Sequence, residues 1–190
     1  MSLVRAIARV TTLPLRVMVR ENAGYAMEDG ELPLLRRAAA EFAAAGVDGI
    51  VIGFARAGEP ALDDVASVLA SAPGVRATFH RAFDVLRDPL LAIDALTGLA
   101  QVDRILTDGG GGSPAQRSER LRAYVARAAE RITVIAGSAV NDEALAEFAR
   151  NGCVREVHVG RAAREGDDPE GPVSVARVRR LRALADRKGA

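Results

Sequence analysis

The 190-residue chain has one cysteine, one lysine, two histidines and no tryptophan, and aromatic residues make up only 4% of it. Each scarcity removes a class of chemistry. A lone Cys153 forbids any intramolecular disulfide and suits a reducing compartment. The sole lysine, Lys188, lies in the C-terminal tail, so no strand-end lysine is available for a Schiff base. Two histidines far apart in sequence fall short of His-Glu-x-x-His or paired Cys-x-x-Cys zinc spacing. No Gly-x-Ser-x-Gly elbow is present. No run approaches the roughly 18 uncharged apolar residues of a membrane helix. The first residues carry Arg5 and Arg9 and lack the form of a secretory signal. A net charge of +1 gives no argument for nucleic acid or an anionic membrane as partner. A cytoplasmic protein is expected, with neither nucleic acid nor membrane as partner.

What is present is alternation. Apolar residues make up 49% and charged residues 27%, the balance of one soluble globular domain over residues 1–190. Short Val/Ile/Leu runs at 15–19, 49–53, 75–79, 104–107, 132–136 and 156–159 predict strands. Between them lie predicted helices at 34–45, 61–70, 89–98, 117–131 and 142–150, with 3–11 before and 174–187 after. Asp88-Pro89 and Asn141 look like helix starts, and Gly46 like a helix stop. No hairpin signal is visible. Strands separated by helices predict a parallel sheet, and a repeated strand–loop–helix unit favours a TIM-barrel-like (β/α) fold of about six parallel strands. A full barrel needs eight strands and about 250 residues, so this chain corresponds to a barrel begun partway round.

Both histidines fall where a strand gives way to a loop. Thr78-Phe-His-Arg-Ala-Phe-Asp84 places His80, Arg81 and Asp84 at one such end, and Glu156-Val-His-Val-Gly160 places His158 at another. Strand alternation puts Thr78 and His80 on one face, and barrel sites lie at the C-terminal strand ends. His80 is a candidate base or ligand, with Arg81 and Asp84 beside it. The alternative is a structural Arg81–Asp84 pair that holds the loop. Arg20 ends its strand in the same way and could grip a carboxylate or phosphate. Asp48 precedes its strand and reads as structural. The loop Thr107-Asp-Gly-Gly-Gly-Gly-Ser113 offers Thr107, Gly109 and Gly110 as an anion cradle, but lacks the Gly-Lys-Ser/Thr ending of a P-loop. Gly137 and Ser138, with Ala139, form a second candidate loop, and Arg161 follows His158.

These segments, in order, resemble the copper homeostasis protein CutC family. Val17-Met-Val-Arg20, Ala45-Gly-Val-Asp-Gly-Ile-Val-Ile-Gly53, Asp103-Arg-Ile-Leu-Thr107, Arg131-Ile-Thr-Val-Ile-Ala-Gly137 and Val173-Ser-Val-Ala-Arg-Val-Arg179 carry the likeness, with the run around His80 its most specific match. The resemblance implies a TIM-barrel-like fold and a link to copper. Copper as a ligand is implied by resemblance alone, with His80 and His158 as weak metal candidates; no other cofactor is indicated. Three departures stand out. The family's first β-α-β unit, with its acidic residues and copper-linked cysteines, has no counterpart. Glu21-Asn22 stands where the family usually has Pro-Arg. Val159-Gly-Arg161 replaces the usual Ser-Ala-Arg. Two further readings stand beside copper homeostasis: a barrel enzyme acting on a phosphorylated or carboxylated small metabolite, and a non-catalytic remnant. Strands left unpaired by the missing unit predict a homo-oligomer.

Overall fold

A computed structural model describes residues 2–22, 24–138 and 140–186. Ala139, and the last residue of the helix expected at 174–187, lie outside the described residues. The chain divides into two compact units, Met1–Ile105 and Leu106–Ala190.

Unit one holds helices α1 (Ser2–Val10), α2 (Glu31–Ala44), α3 (Leu62–Leu69) and α4 (Pro89–Leu96). Its strands are β1 (Arg16–Met18), β2 (Gly49–Ile52), β3 (Ala55–Arg56), β4 (Glu59–Pro60) and β5 (Arg76–Phe79), and most of β6 (Val102–Thr107) belongs to it. The order β1-β2-β5-β6 is parallel throughout. β2 and the end of β5 are buried apolar runs, as a sheet covered on both faces requires. Ile50, Ile52, Phe54, Phe79 and Phe83 form the core here, none more than 1% exposed. One polar device ties three strands. Arg16 on β1 donates to Thr78 on β5 at 2.9 Å and grips the carboxylate of Asp103 on β6 through two bonds of 2.6 Å. Asp48 is structural, accepting from the Leu15 N–H at 2.6 Å. Asp88 caps α4 by accepting from Leu90 and Leu91, with Pro89 in the first turn.

Unit two holds the end of β6, then α5 (Pro114–Ala128), β7 (Thr133–Ala136), α6 (Asp142–Asn151), β8 (Glu156–Val157) and α7 (Val175–Ala185). Its strand order is β6-β7-β8, with β7 and β8 parallel. Leu121, Val134, Ala136, Leu145 and Phe148 are buried in its core.

Two expectations are corrected. The chain does contain a hairpin, β3 paired antiparallel with β4. Its turn is Ala57-Gly58, both with positive φ (52° and 78°). Such turns ordinarily advertise themselves as Asn-Gly or Asp-Gly, so an alanine in the first position hides the signal. The second correction is the start of α5, which lies at Pro114 rather than Arg117. Ser113 accepts from the Gln116 N–H while the Gln116 side chain accepts from the Ser113 N–H, a capping box with proline just inside.

Candidate functional site

In unit one, β5 delivers His80 to a closed setting. The ring is 9% exposed. Its Nδ1 accepts from the Ala82 N–H at 3.1 Å, which caps the 3-10 turn Arg81–Val85. With Nδ1 an acceptor, the proton of the neutral ring resides on Nε2. Burial, helped by the positive charge of Arg20, pushes the pKa down to about 4. The ring is thus neutral near pH 7 and offers an N–H donor at Nε2 rather than a basic lone pair. Gly53 makes room for it: a Cβ there would stand 2.7 Å from Nδ1. The Tyr25 ring lies 5.7 Å away. Arg81 and Asp84 form an ion pair at 2.7 Å, with the carboxylate nearly buried.

Arg20 is buried as well, with its guanidinium over the Phe54 ring at 5.5 Å from the centroid. Its donors go to its own chain. Nε bonds one Glu31 oxygen, Nη2 bonds the other at 3.0 Å and the Ala26 carbonyl at 2.8 Å, and Nη1 bonds the Gly24 carbonyl. This bonding holds the Glu31 carboxyl below the usual carboxylate range. The fork expected to face an outside anion is filled by Glu31, and Arg20 serves as the clasp of the 20–31 loop.

In unit two the loop after β6 is similarly turned on itself. Gly109 N–H donates to Thr107 Oγ1 at 3.0 Å, and Gly110 N–H to Asp108 Oδ1 at 2.7 Å. Arg120 bonds the Gly109 and Gly111 carbonyls. The amides expected to cradle an anion are therefore taken by side chains of the same loop, one of them a carboxylate. Gly137, after β7, donates to the Thr107 carbonyl at 2.8 Å, and a Cβ on it would meet Leu106 Cδ1 at 2.5 Å. Its role is close packing.

The open site lies just beyond. Ser138, Val140, His158, Gly160, Arg161 and Ala162 line one cavity of about 210 Å³. Ser138, φ 56°, turns its carbonyl to Arg117. The His158 N–H donates to the Ala136 carbonyl at 2.8 Å, which fixes where β8 leaves the sheet; the histidine itself is exposed. Three of the residues expected from sequence thus share one cavity, while Thr107, Gly109 and Gly110 do not line it. A hydroxyl, an imidazole and a guanidinium around a small space can hold an oxyanion.

A family model described as the CutC family matches residues 1–163. The chain belongs to the CutC family. A CutC family protein of Caulobacter vibrioides is 34% identical over 148 residues, which cover 77% of this chain and 60% of that protein. One of Vibrio vulnificus is 32% identical over 162 residues, covering 83% and 64%. The chain therefore spans less than two thirds of the length of these relatives. The crystal structure of CutC from Streptococcus agalactiae, a protein whose name assigns it to copper homeostasis, superposes with a TM-score of 0.75 at 22% identity, covering 83% of this chain and 79% of that one. The likeness fixes a TIM-barrel-like α/β fold.

The side chains do not fit a copper cage. Among the described residues no three His, Cys, Asp or Glu side chains come together. His80 has one ring nitrogen committed to Ala82. Cys153 is 2% exposed, with Sγ 3.7 Å from Ser118 Oγ and 3.9 Å from the Phe148 carbonyl. Copper sites favour soft donors gathered on one ion, and no such gathering exists in this CutC chain among those residues.

One residue that holds the Ser138 loop escaped the sequence reading. Arg117 is 6% exposed and stacks over Phe148 at 5.3 Å. It bonds the carbonyls of Asp108, Gly137 and Ser138, joining the loops after β6 and β7. The available signal was its spacing: Arg117, Leu121, Tyr124 and Ala128 form the buried stripe of α5.

Proposed function

We propose that this CutC chain works in the cytoplasm, in the copper homeostasis for which CutC proteins are named, through a pocket for a small phosphorylated or carboxylated molecule. The observation that carries this is the cavity of about 210 Å³ shared by Ser138, His158 and Arg161 beyond β7 and β8. That volume lies below the ~300–1,000 Å³ of sites for drug-sized ligands, so the ligand is compact. Arg161 is the group that grips an oxyanion in two-point fashion, and Ser138 and His158 set its orientation. A single buried thiol suits a reducing compartment. No helix among the described residues is long and apolar enough to cross a membrane.

The test is an NMR titration with inorganic phosphate, read on the His158 ring signal. With only two histidines in the chain, and His80 assigned by its absence in His80→Asn, the signal is unambiguous. A saturable shift, moved to at least tenfold higher phosphate in Arg161→Ala, is the expected result. An unmoved His158 signal at tens of millimolar phosphate, together with stoichiometric Cu(I) uptake in anaerobic calorimetry, would replace this reading with direct metal binding.

A further inference from the structure

Arg161 sits on a short 3-10 turn, Arg161–Ala163, at the head of a strap that returns through Asp167 and Pro172 to α7. Turn hydrogen bonds run through the strap, among them Arg164 N–H to the Arg161 carbonyl at 2.8 Å and Gly171 N–H to the Asp168 carbonyl at 3.0 Å. Arg164 pairs with Val173 as an isolated bridge, Glu165 N–H donates to the Pro172 carbonyl at 3.0 Å, and Ser174 N–H to the Ala163 carbonyl at 2.9 Å. What fixes the turn from outside is one side chain on α7. Arg177 Nη1 donates to the Arg164 carbonyl at 2.6 Å and to Asp167 Oδ1 at 2.5 Å, and reaches the Ala162 carbonyl at 3.3 Å. The two carbonyls belong to residues one and three positions beyond Arg161. One turn further along α7, Arg180 pairs with Asp142, the first residue of α6, at 3.0 Å. Asp142 follows closely on Val140, which also lines the cavity. Two arginines three apart on one helix face thus hold two segments that contribute to the cavity lining.

We propose that Arg177 is the positioning residue of the oxyanion pocket: it grips the turn around Arg161 and so sets where the Arg161 guanidinium stands. This rests on the pocket reading given above. Asp167 is the charged part of the grip. It lies close enough to Arg161 for that charge to help lower its pKa, but the larger cause is its hydrogen bond to Arg177. The Asp167 carboxylate is met by both terminal nitrogens of Arg177, Nη1 at 2.5 Å and Nη2 at 3.4 Å, a two-point contact that the single ammonium of a lysine cannot reproduce.

The test is a double-mutant cycle on phosphate affinity, read on His158, with backbone amide exchange at Ala163 and Arg164 as a ligand-free readout. Circular dichroism checks that each variant is folded. Arg177→Gln and Arg177→Lys are both expected to weaken phosphate binding about tenfold and to speed exchange at those two amides. In an Arg161→Ala background, Arg177→Gln is expected to cause no further loss, since it acts only through Arg161. Wild-type affinity in Arg177→Lys would reduce the role to charge and overturn the proposal. So would a further loss on top of Arg161→Ala. If the wild-type protein ignores phosphate, the pocket reading is what fails, and the exchange data still decide on Arg177. Faster exchange in Arg177→Gln then keeps it as the brace of the turn, and unchanged exchange removes it.

Discussion

The two histidines leave their strands in the same way and arrive in opposite circumstances. His80 is enclosed in unit one, with its Nδ1 bonded to Ala82, its ring fitted over Gly53 and a buried arginine nearby. His158 is exposed in unit two on the wall of a cavity it shares with Ser138 and Arg161. The arginines differ likewise. Arg20 has Glu31 and two carbonyls for partners, whereas Arg161 stands at a cavity. Position at a strand end therefore does not define a site. What decides is whether the protein's own groups have already satisfied the side chain. Unit one uses its strand-end residues to close a loop, and in unit two they line an open cavity.

Substitutions at the two places should separate sharply. The largest effect is expected from Arg20→Ala, which leaves the Glu31 carboxylate without its partner and opens two carbonyls. Removing one member of a largely buried pair costs about 3–5 kcal/mol, and urea unfolding should show a loss of that size. A loss under 1 kcal/mol would mean that the clasp is superficial. Next comes acid. A histidine whose folded pKa lies near 4 and whose unfolded pKa is about 6.5 leaves stability intact above pH 6.5. As the pH falls through that window the unfolded chain takes up a proton that the folded one refuses, and about 3 kcal/mol is lost by pH 4. Below that both states are protonated and the loss stops growing. His80→Asn keeps an acceptor for the Ala82 N–H, so its stability should fall less between pH 7 and pH 4 than that of the wild type. Equal slopes would place His80 in water.

Gly53→Ala should cost about 1–3 kcal/mol by overpacking against the imidazole. The penalty should shrink when His80 is also cut to alanine, and calorimetric melts of the four proteins would measure the coupling. The smallest effect on stability belongs to unit two. Arg161→Ala should change unfolding by less than about 0.5 kcal/mol, as an exposed site away from the core does, while phosphate affinity falls at least tenfold. A large loss of stability there would erase the contrast between the two units.

The alternation of strands and helices was legible because short β-branched runs alternate with helical stretches, two of which open on caps written in the sequence, at Asp88-Pro89 and Asn141. The hairpin was not, because its tip is Ala57-Gly58 rather than a pair that favours positive φ at both positions. For the candidate sites, residue type and place were readable and occupancy was not. Arg20 is followed by Glu31 eleven residues on, and nothing in periodicity says that the loop between them folds back so that carboxylate meets guanidinium. The glycine run looked like an anion cradle, yet Thr107 and Asp108 satisfy its amides locally, a competition characteristic of short polar side chains. The Arg81–Asp84 pair could be anticipated, since three residues of separation in a tight turn bring the two groups together.

The buried sulfur of Cys153 gives the molecule a clock. A thiol that is 2% exposed and packed between Ser118 and the Phe148 carbonyl reacts with an aromatic disulfide reagent only during moments when its surroundings part. Because it is the one cysteine in the chain, every labelling event reports on that single place. When reclosing is fast compared with labelling, the rate gives the free energy of the opening that exposes the sulfur. Unit two thus carries its own gauge of local breathing, which can be followed in dilute denaturant without any substitution in the chain.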